Sequence, residues 1–169
     1  MTSSLTRKIE LAANVAIVIS GLVVTGLFAR SFMHTSAAKP PMVAAGMKLN
    51  LPSVNWADHD TTLVVAVREG CQFCEASAPF YKQLMEAAAK NTKTHVIAAL
   101  PESPVDGKAF LAKLGVPAED VREGDFDEMK VQYTPTLVLL DHDGRVKNVW
   151  VGQLKPDEEK QVLQAVGLD

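Results

Sequence analysis

Residues 61–80 read TTLVVAVREGCQFCEASAPF, and this stretch decides the fold. Thr61 to Arg68 is a short β-branched, apolar run with the composition of a buried strand, and Gly70 breaks it. Beyond the break Phe73, Ala76, Phe80, Leu84 and Ala87 or Ala88 recur at spacings of three and four, which predicts a helix. Gly70-Cys71-Gln72-Phe73-Cys74 therefore lies at a strand-to-helix junction. Its two cysteines sit in the first helical turn, close enough to form a local disulfide. Unpaired N–H groups and the macrodipole at a helix N-terminus stabilise a thiolate. That makes Cys71 the exposed nucleophile and Cys74 the sulfur that resolves a mixed disulfide.

Downstream of this junction the elements keep alternating. Thr94 to Leu100 is a second apolar strand, and Asp106 to Leu114 reads as a helix stopped by Gly115. A further short helical stretch is expected between Phe126 and Gln132. Thr136 to Leu140 and Arg145 to Val151 are strands on either side of an Asp143-Gly144 turn, and so predict a hairpin. Pro156 with Asp157 to Glu159 opens a closing helix, the proline in the first turn and the acids where the dipole favours them. The order predicts an α/β fold with a central mixed sheet flanked by helices.

Upstream, Leu11 to Ala29 runs without a charge between Arg7-Lys8 and Arg30. Nineteen residues at ~1.5 Å each give roughly 28 Å of helix, close to the hydrocarbon thickness of a bilayer. The run exceeds a signal-peptide core and ends well before the small residues Ser36-Ala37-Ala38, which favours an uncleaved anchor over a leader. Four segments follow: a tail over 1–10, a transmembrane anchor over 11–29, a Pro40-Pro41 linker over 30–48, and a domain over 49–169. The net charge of −3 is divided unevenly, with +4 on residues 1–49 and −7 on 50–169. An acidic domain argues against nucleic acid as a partner, since that needs clustered cations facing phosphates.

At the cysteine pair the chain resembles the thioredoxin-like thiol-disulfide oxidoreductases, in particular their membrane-anchored, periplasm-facing TlpA-like and ResA-like branch. The resemblance covers residues 50–169. Cys71 and Cys74 match the CxxC pair, and Pro79 falls where that family places a kinking proline. Val131-Gln132-Tyr133-Thr134-Pro135-Thr136 matches the segment whose proline is cis and packs opposite the cysteines, while Gly144 and Gly152 match the terminal hairpin. The resemblance implies a redox-active Cys71–Cys74 disulfide as the only prosthetic feature, with Pro135 as the cis-proline and Thr134, Gln72 and Phe73 against substrate. It further implies protein thiols and disulfides as substrates, a membrane electron-transfer partner, and a single-pass bacterial inner-membrane protein whose domain is periplasmic or otherwise extracytoplasmic. Proline has a physical role there too: lacking an N–H, it leaves Thr134 to offer its backbone to an extended peptide.

The chain also departs from that pattern. Gly70 stands where many thioredoxins have Trp, Leu63 to Val67 contains no carboxylate, and the interval from Cys74 to Pro135 leaves room for an insert. The insert's acids, Glu119, Asp120, Glu123, Asp125, Asp127 and Glu128, read as a solvated face. His34, His59, His95 and His142 are scattered, none three or four residues from a cysteine, so no metal site is expected. The alternative to an enzyme is a thioredoxin-fold adaptor or metallochaperone, in which the cysteines form a structural bridge or a soft-metal clamp.

Overall fold

The computed structural model describes residues 17–21, 42–52, 54–90 and 94–168. The chain forms two compact units, Met1–Pro40 and Pro41–Asp169. In the first, the described residues are a helical stretch, α1, at 17–21. The rest of the expected 11–29 anchor lies outside the described residues, among which no helix is long and apolar enough to cross a membrane.

The second unit is built on a five-stranded sheet in the order β3-β2-β1-β4-β5. The strands are β1 (Thr61–Ala66), β2 (Thr94–Leu100), β3 (Asp120–Glu123), β4 (Thr136–Asp141) and β5 (Val146–Val151). β1 pairs parallel with β2 and antiparallel with β4, so it lies at the centre. A strand covered on both faces needs apolar side chains at every position, which explains the unbroken run Leu63 to Val67. Alternation sends Leu63, Val65 and Val67 to one face and Val64 and Ala66 to the other.

Three helices pack against the first face: α3 (Ala78–Ala88), α4 (Pro104–Lys113) and α5 (Pro156–Ala165). They contribute Phe80, Tyr81, Leu84, Phe110, Leu111, Val162 and Leu163 to one cluster. The second face is covered by irregular chain: Val43, Leu49 and Leu51 from one side, and Phe126, Met129 and Val131 from the other. Each fully buried Leu or Val stabilises by about 1.5–3 kcal/mol. Val43 shows that core packing reaches back into residues expected to be linker, where its N–H donates to the Lys130 carbonyl at 2.9 Å. Gly46 and Leu49 are likewise bonded to the hairpin through Val146 and Gly144.

One expectation is corrected. Phe126 to Gln132 is a sequence of turns, not a helix. Asp125 Oδ1 accepts the N–H groups of Asp127 (2.8 Å) and Glu128 (3.1 Å), and Lys130 has φ +59°, a left-handed conformation that stops helical propagation. The acidic stretch read as a solvated face keeps Glu119, Glu123, Asp125, Asp127 and Glu128 exposed and Asp120 half-buried, and it includes β3, a parallel edge strand on β2 in which Val121 is the buried residue.

At the β4–β5 turn Asp141 Oδ1 accepts N–H bonds from Arg145 (2.9 Å) and Asp143 (3.0 Å). The Arg145 bond, followed by smaller contributions, holds the Asp141 carboxyl below its ordinary range. Gly144 in the same turn has φ +74° and lies so close to Trp56 that a Cβ there would come within 2.5 Å of the indole.

Candidate active site

The parallel strands place the cysteines. Beyond β1 the Val67 N–H still bonds the Ala99 carbonyl at 3.0 Å, and Gly70, at φ +75°, turns the chain toward the short helix α2 (Gln72–Ala76). Cys71 is the N-cap of α2, extended at φ −89° and ψ 104°. Its Sγ accepts the Cys74 N–H at 3.2 Å, and its carbonyl accepts the N–H groups of Cys74 and Glu75. Ser77 separates α2 from α3 because Pro79 has no N–H to give the preceding turn.

Cys71 and Cys74 are joined in a disulfide with a Cα–Cα distance of 5.2 Å. Their environments differ. Cys74 is buried in the core cluster that contains Phe80, Tyr81 and Leu84, whereas Cys71 is half-buried at its margin. The segment before β4 lies against the half-buried Cys71 sulfur. The Thr134 carbonyl oxygen lies 3.4 Å from Cys71 Sγ, and the Thr134 hydroxyl donates to the same sulfur at 3.4 Å. The Thr134–Pro135 peptide bond is cis. Thr136 Oγ1 donates to the Tyr133 carbonyl (2.7 Å) and the Gly152 N–H to the Pro135 carbonyl (2.7 Å), which fixes this segment from both ends.

The structure thus brings Cys71, Cys74, Thr134 and Pro135 together from positions more than sixty residues apart. Gln72 and Phe73 lie exposed on α2 next to the sulfur, and Tyr133 is exposed on the opposite segment. Glu69 and Glu75 face solvent, and Arg68 lies over the Phe126 ring at 5.6 Å. Burial pushes the Tyr81 phenol far above its ordinary range, with Ser77 offsetting only part of this, so Tyr81 is a neutral core group.

One acid went unnoticed in the sequence. Glu102, just past β2, accepts the Glu69 N–H through Oε1 at 3.3 Å, while its Oε2 is buried without a hydrogen-bond partner among the described residues. The available signal was an acid following a buried strand whose C-terminal end lies at the same end of the sheet as the cysteines. His142 is at the surface beside Asp143. His34 lies outside the described residues. Among the described residues no group of three or more His, Cys, Asp or Glu is placed to surround a metal ion.

A family model for the thioredoxin-like domain matches residues 54–167, and the chain belongs to that family. Nothing among curated proteins matches the chain. Solved structures with the same fold include a thiol:disulfide interchange protein DsbE from Chlorobium tepidum. It is 24% identical, with 75% of this chain and 99% of that one covered, at a TM-score of 0.54. A secreted Mycobacterium tuberculosis disulfide oxidoreductase is 18% identical, covering 63% of this chain and 81% of that one, at 0.50. The exposed lipoprotein thioredoxin of Streptococcus pneumoniae is 17% identical, covering 66% and 88%, at 0.53. Family, fold and the Cys71–Cys74 pair together support dithiol/disulfide oxidoreductase activity.

Proposed function

We propose that the chain is a membrane-tethered thiol-disulfide oxidoreductase that exchanges electrons with protein cysteines outside the cytoplasm of a bacterium. The observation that carries the redox reading is the asymmetry of the pair: Cys71 Sγ at the domain margin, met by the Cys74 N–H and the Thr134 hydroxyl, with Cys74 sealed beneath it. Donors aimed at a sulfur favour its thiolate. In the dithiol form the Cys71 thiolate attacks one sulfur of a client disulfide, making a mixed disulfide and expelling the client's other thiolate. Cys74, once deprotonated, attacks Cys71 Sγ, restores the Cys71–Cys74 bond and releases the second client thiolate. A client dithiol drives the same steps in reverse. Gln72, Phe73 and Thr134 form the rim that a client segment would touch, and Pro135 leaves the Thr134 backbone open to it.

The uncharged run at 11–29 supports the tether, with the linker holding the domain off an inner membrane on its periplasmic side. Two fold relatives, one secreted and one an exposed lipoprotein, agree with an extracytoplasmic domain, for which a membrane electron-transfer protein would be the redox partner. Equilibration with glutathione buffers tests the redox reading. A catalytic pair titrates between about −270 and −120 mV, whereas a structural bridge, the adaptor alternative, lies below about −300 mV. Retention in membranes after a high-salt wash tests the tether, and a soluble form beginning near Lys39 would refute it.

A further inference from the structure

Away from the cysteines, His59, His95, Asp120 and Arg122 form a continuous polar chain lining a surface cleft of about 580 Å³. His95 lies on β2 and Asp120 opens β3, so the sheet ladder fixes both backbones; His59 follows a 3-10 turn at Trp56–Asp58 outside the sheet. Arg122 Nε and Nη2 both donate to the Asp120 carboxylate, the latter at 3.1 Å. His95 Nε2 lies 2.9 Å from Asp120 Oδ2. A carboxylate so held accepts, so His95 Nε2 is the donor to Asp120 and Nδ1 is the ring nitrogen left to face His59. Nδ1 lies 2.6 Å from His59 Nε2, with the rings at 76°. Two imidazole nitrogens converging in this way share either a proton or a cation.

We propose that His59 Nε2 and His95 Nδ1 form an open two-imidazole site for a divalent transition-metal cation of the zinc type, with Asp120 as the outer carboxylate. A carboxylate on the far nitrogen of a ligating histidine is the usual second layer of such sites: it fixes the tautomer and raises ligand basicity. The same bond explains why Asp120 backs the site and is not a third ligand. Tetrahedral zinc with nitrogen bonds of about 2.0–2.1 Å separates two ligands by roughly 3.3 Å. His59 must then move outward by roughly 0.7 Å, which its position outside the sheet allows. The cleft leaves the remaining coordination positions to water. The site lies at the N-terminal ends of β1 and β2, whereas the cysteines follow the C-terminal end of β1, so metal binding is separate from thiol exchange.

Zinc titration of the full-length oxidised chain at neutral pH tests this, because the disulfide removes Cys71 and Cys74 as thiolate ligands. One equivalent is expected to bind, with shifts of the His59 and His95 ring signals by NMR. His59→Ala should weaken binding by at least about tenfold and Asp120→Asn by about 10–100-fold, both with unchanged far-UV circular dichroism. Failure of the oxidised chain to bind zinc, binding that arises only after reduction, or equal binding by His59→Ala would each overturn the proposal. None of these outcomes bears on the redox reading.

Discussion

Replacing Thr134 by Val removes one hydroxyl from the Cys71 sulfur while keeping the side-chain shape. The Thr134 O–H donates to Cys71 Sγ at 3.4 Å in a half-buried position, so the bond is long and partly screened. A net value of about 1 kcal/mol, the centre of the range for protein hydrogen bonds, is appropriate. At about 1.4 kcal/mol per pKa unit, losing it raises the midpoint at which Cys71 becomes a thiolate by about 0.7 unit. Below that midpoint the variant has about fivefold less thiolate. A Brønsted slope of about 0.4–0.5 makes each thiolate about twofold more nucleophilic, leaving a net slowing of about twofold. Well above the midpoint only the second effect remains, and Thr134→Val should react about twofold faster than the parent. The assay is the rate of iodoacetamide alkylation of the reduced chain across pH. Thr134→Ser, which keeps the hydroxyl, should restore the parent profile. Superimposable profiles for Thr134→Val and the parent would refute the claim that this hydroxyl stabilises the thiolate.

Changing Cys74 to Ser should leave mixed disulfides unresolved, so that covalent complexes accumulate and a reductant releases them, while Cys71→Ser should trap nothing; gel shifts under non-reducing conditions read both. Gly144→Ala combines a left-handed backbone with a clash against Trp56 and should cost about 1–3 kcal/mol, seen as a lower urea midpoint with unchanged slope. Because the Asp141 carboxyl is held below its unfolded value, its contribution is present above that value and lost as pH falls through the folded one. The stability gap between parent and Asp141→Ala should therefore close in strong acid, and a gap that persists there would contradict the assigned cause. Glu102→Ala should loosen the Glu69–Gly70 turn and Glu102→Gln should preserve it, since the amide oxygen can still accept the Glu69 N–H; amide exchange at Glu69 distinguishes them.

β1, β2, β4 and α5 were legible because their apolar period or flanking caps leave little choice. β3 was not: in Asp120-Val121-Arg122-Glu123 a single residue is buried, and an edge strand with one apolar position has no period to read. α4 begins at Pro104, two residues before its sequence-based start, because Ser103 caps it by accepting the Asp106 N–H. The helix expected from Phe73 onward is two helices, since Pro79 removes a donor that periodicity does not register. Cys71 and Cys74 could be paired from the local motif, and Thr134 and Pro135 through resemblance. Glu102 and the His59–His95 contact depend on strand register, which only the assembled sheet supplies.

The separation of 63 positions between Cys71 and Thr134 also sets an order of events during biosynthesis. The chain emerges N-terminus first at about 5–20 residues per second, so the cysteines precede their covering segment by roughly 3–13 s. α2 and the three-residue spacing of the pair are local and need nothing downstream, whereas β4, which completes the central sheet beside β1, comes later. For that interval the nascent sulfurs meet their surroundings without Thr134. The redox state in which the domain is born is accordingly set by the compartment it enters, before the finished site exerts its own preference.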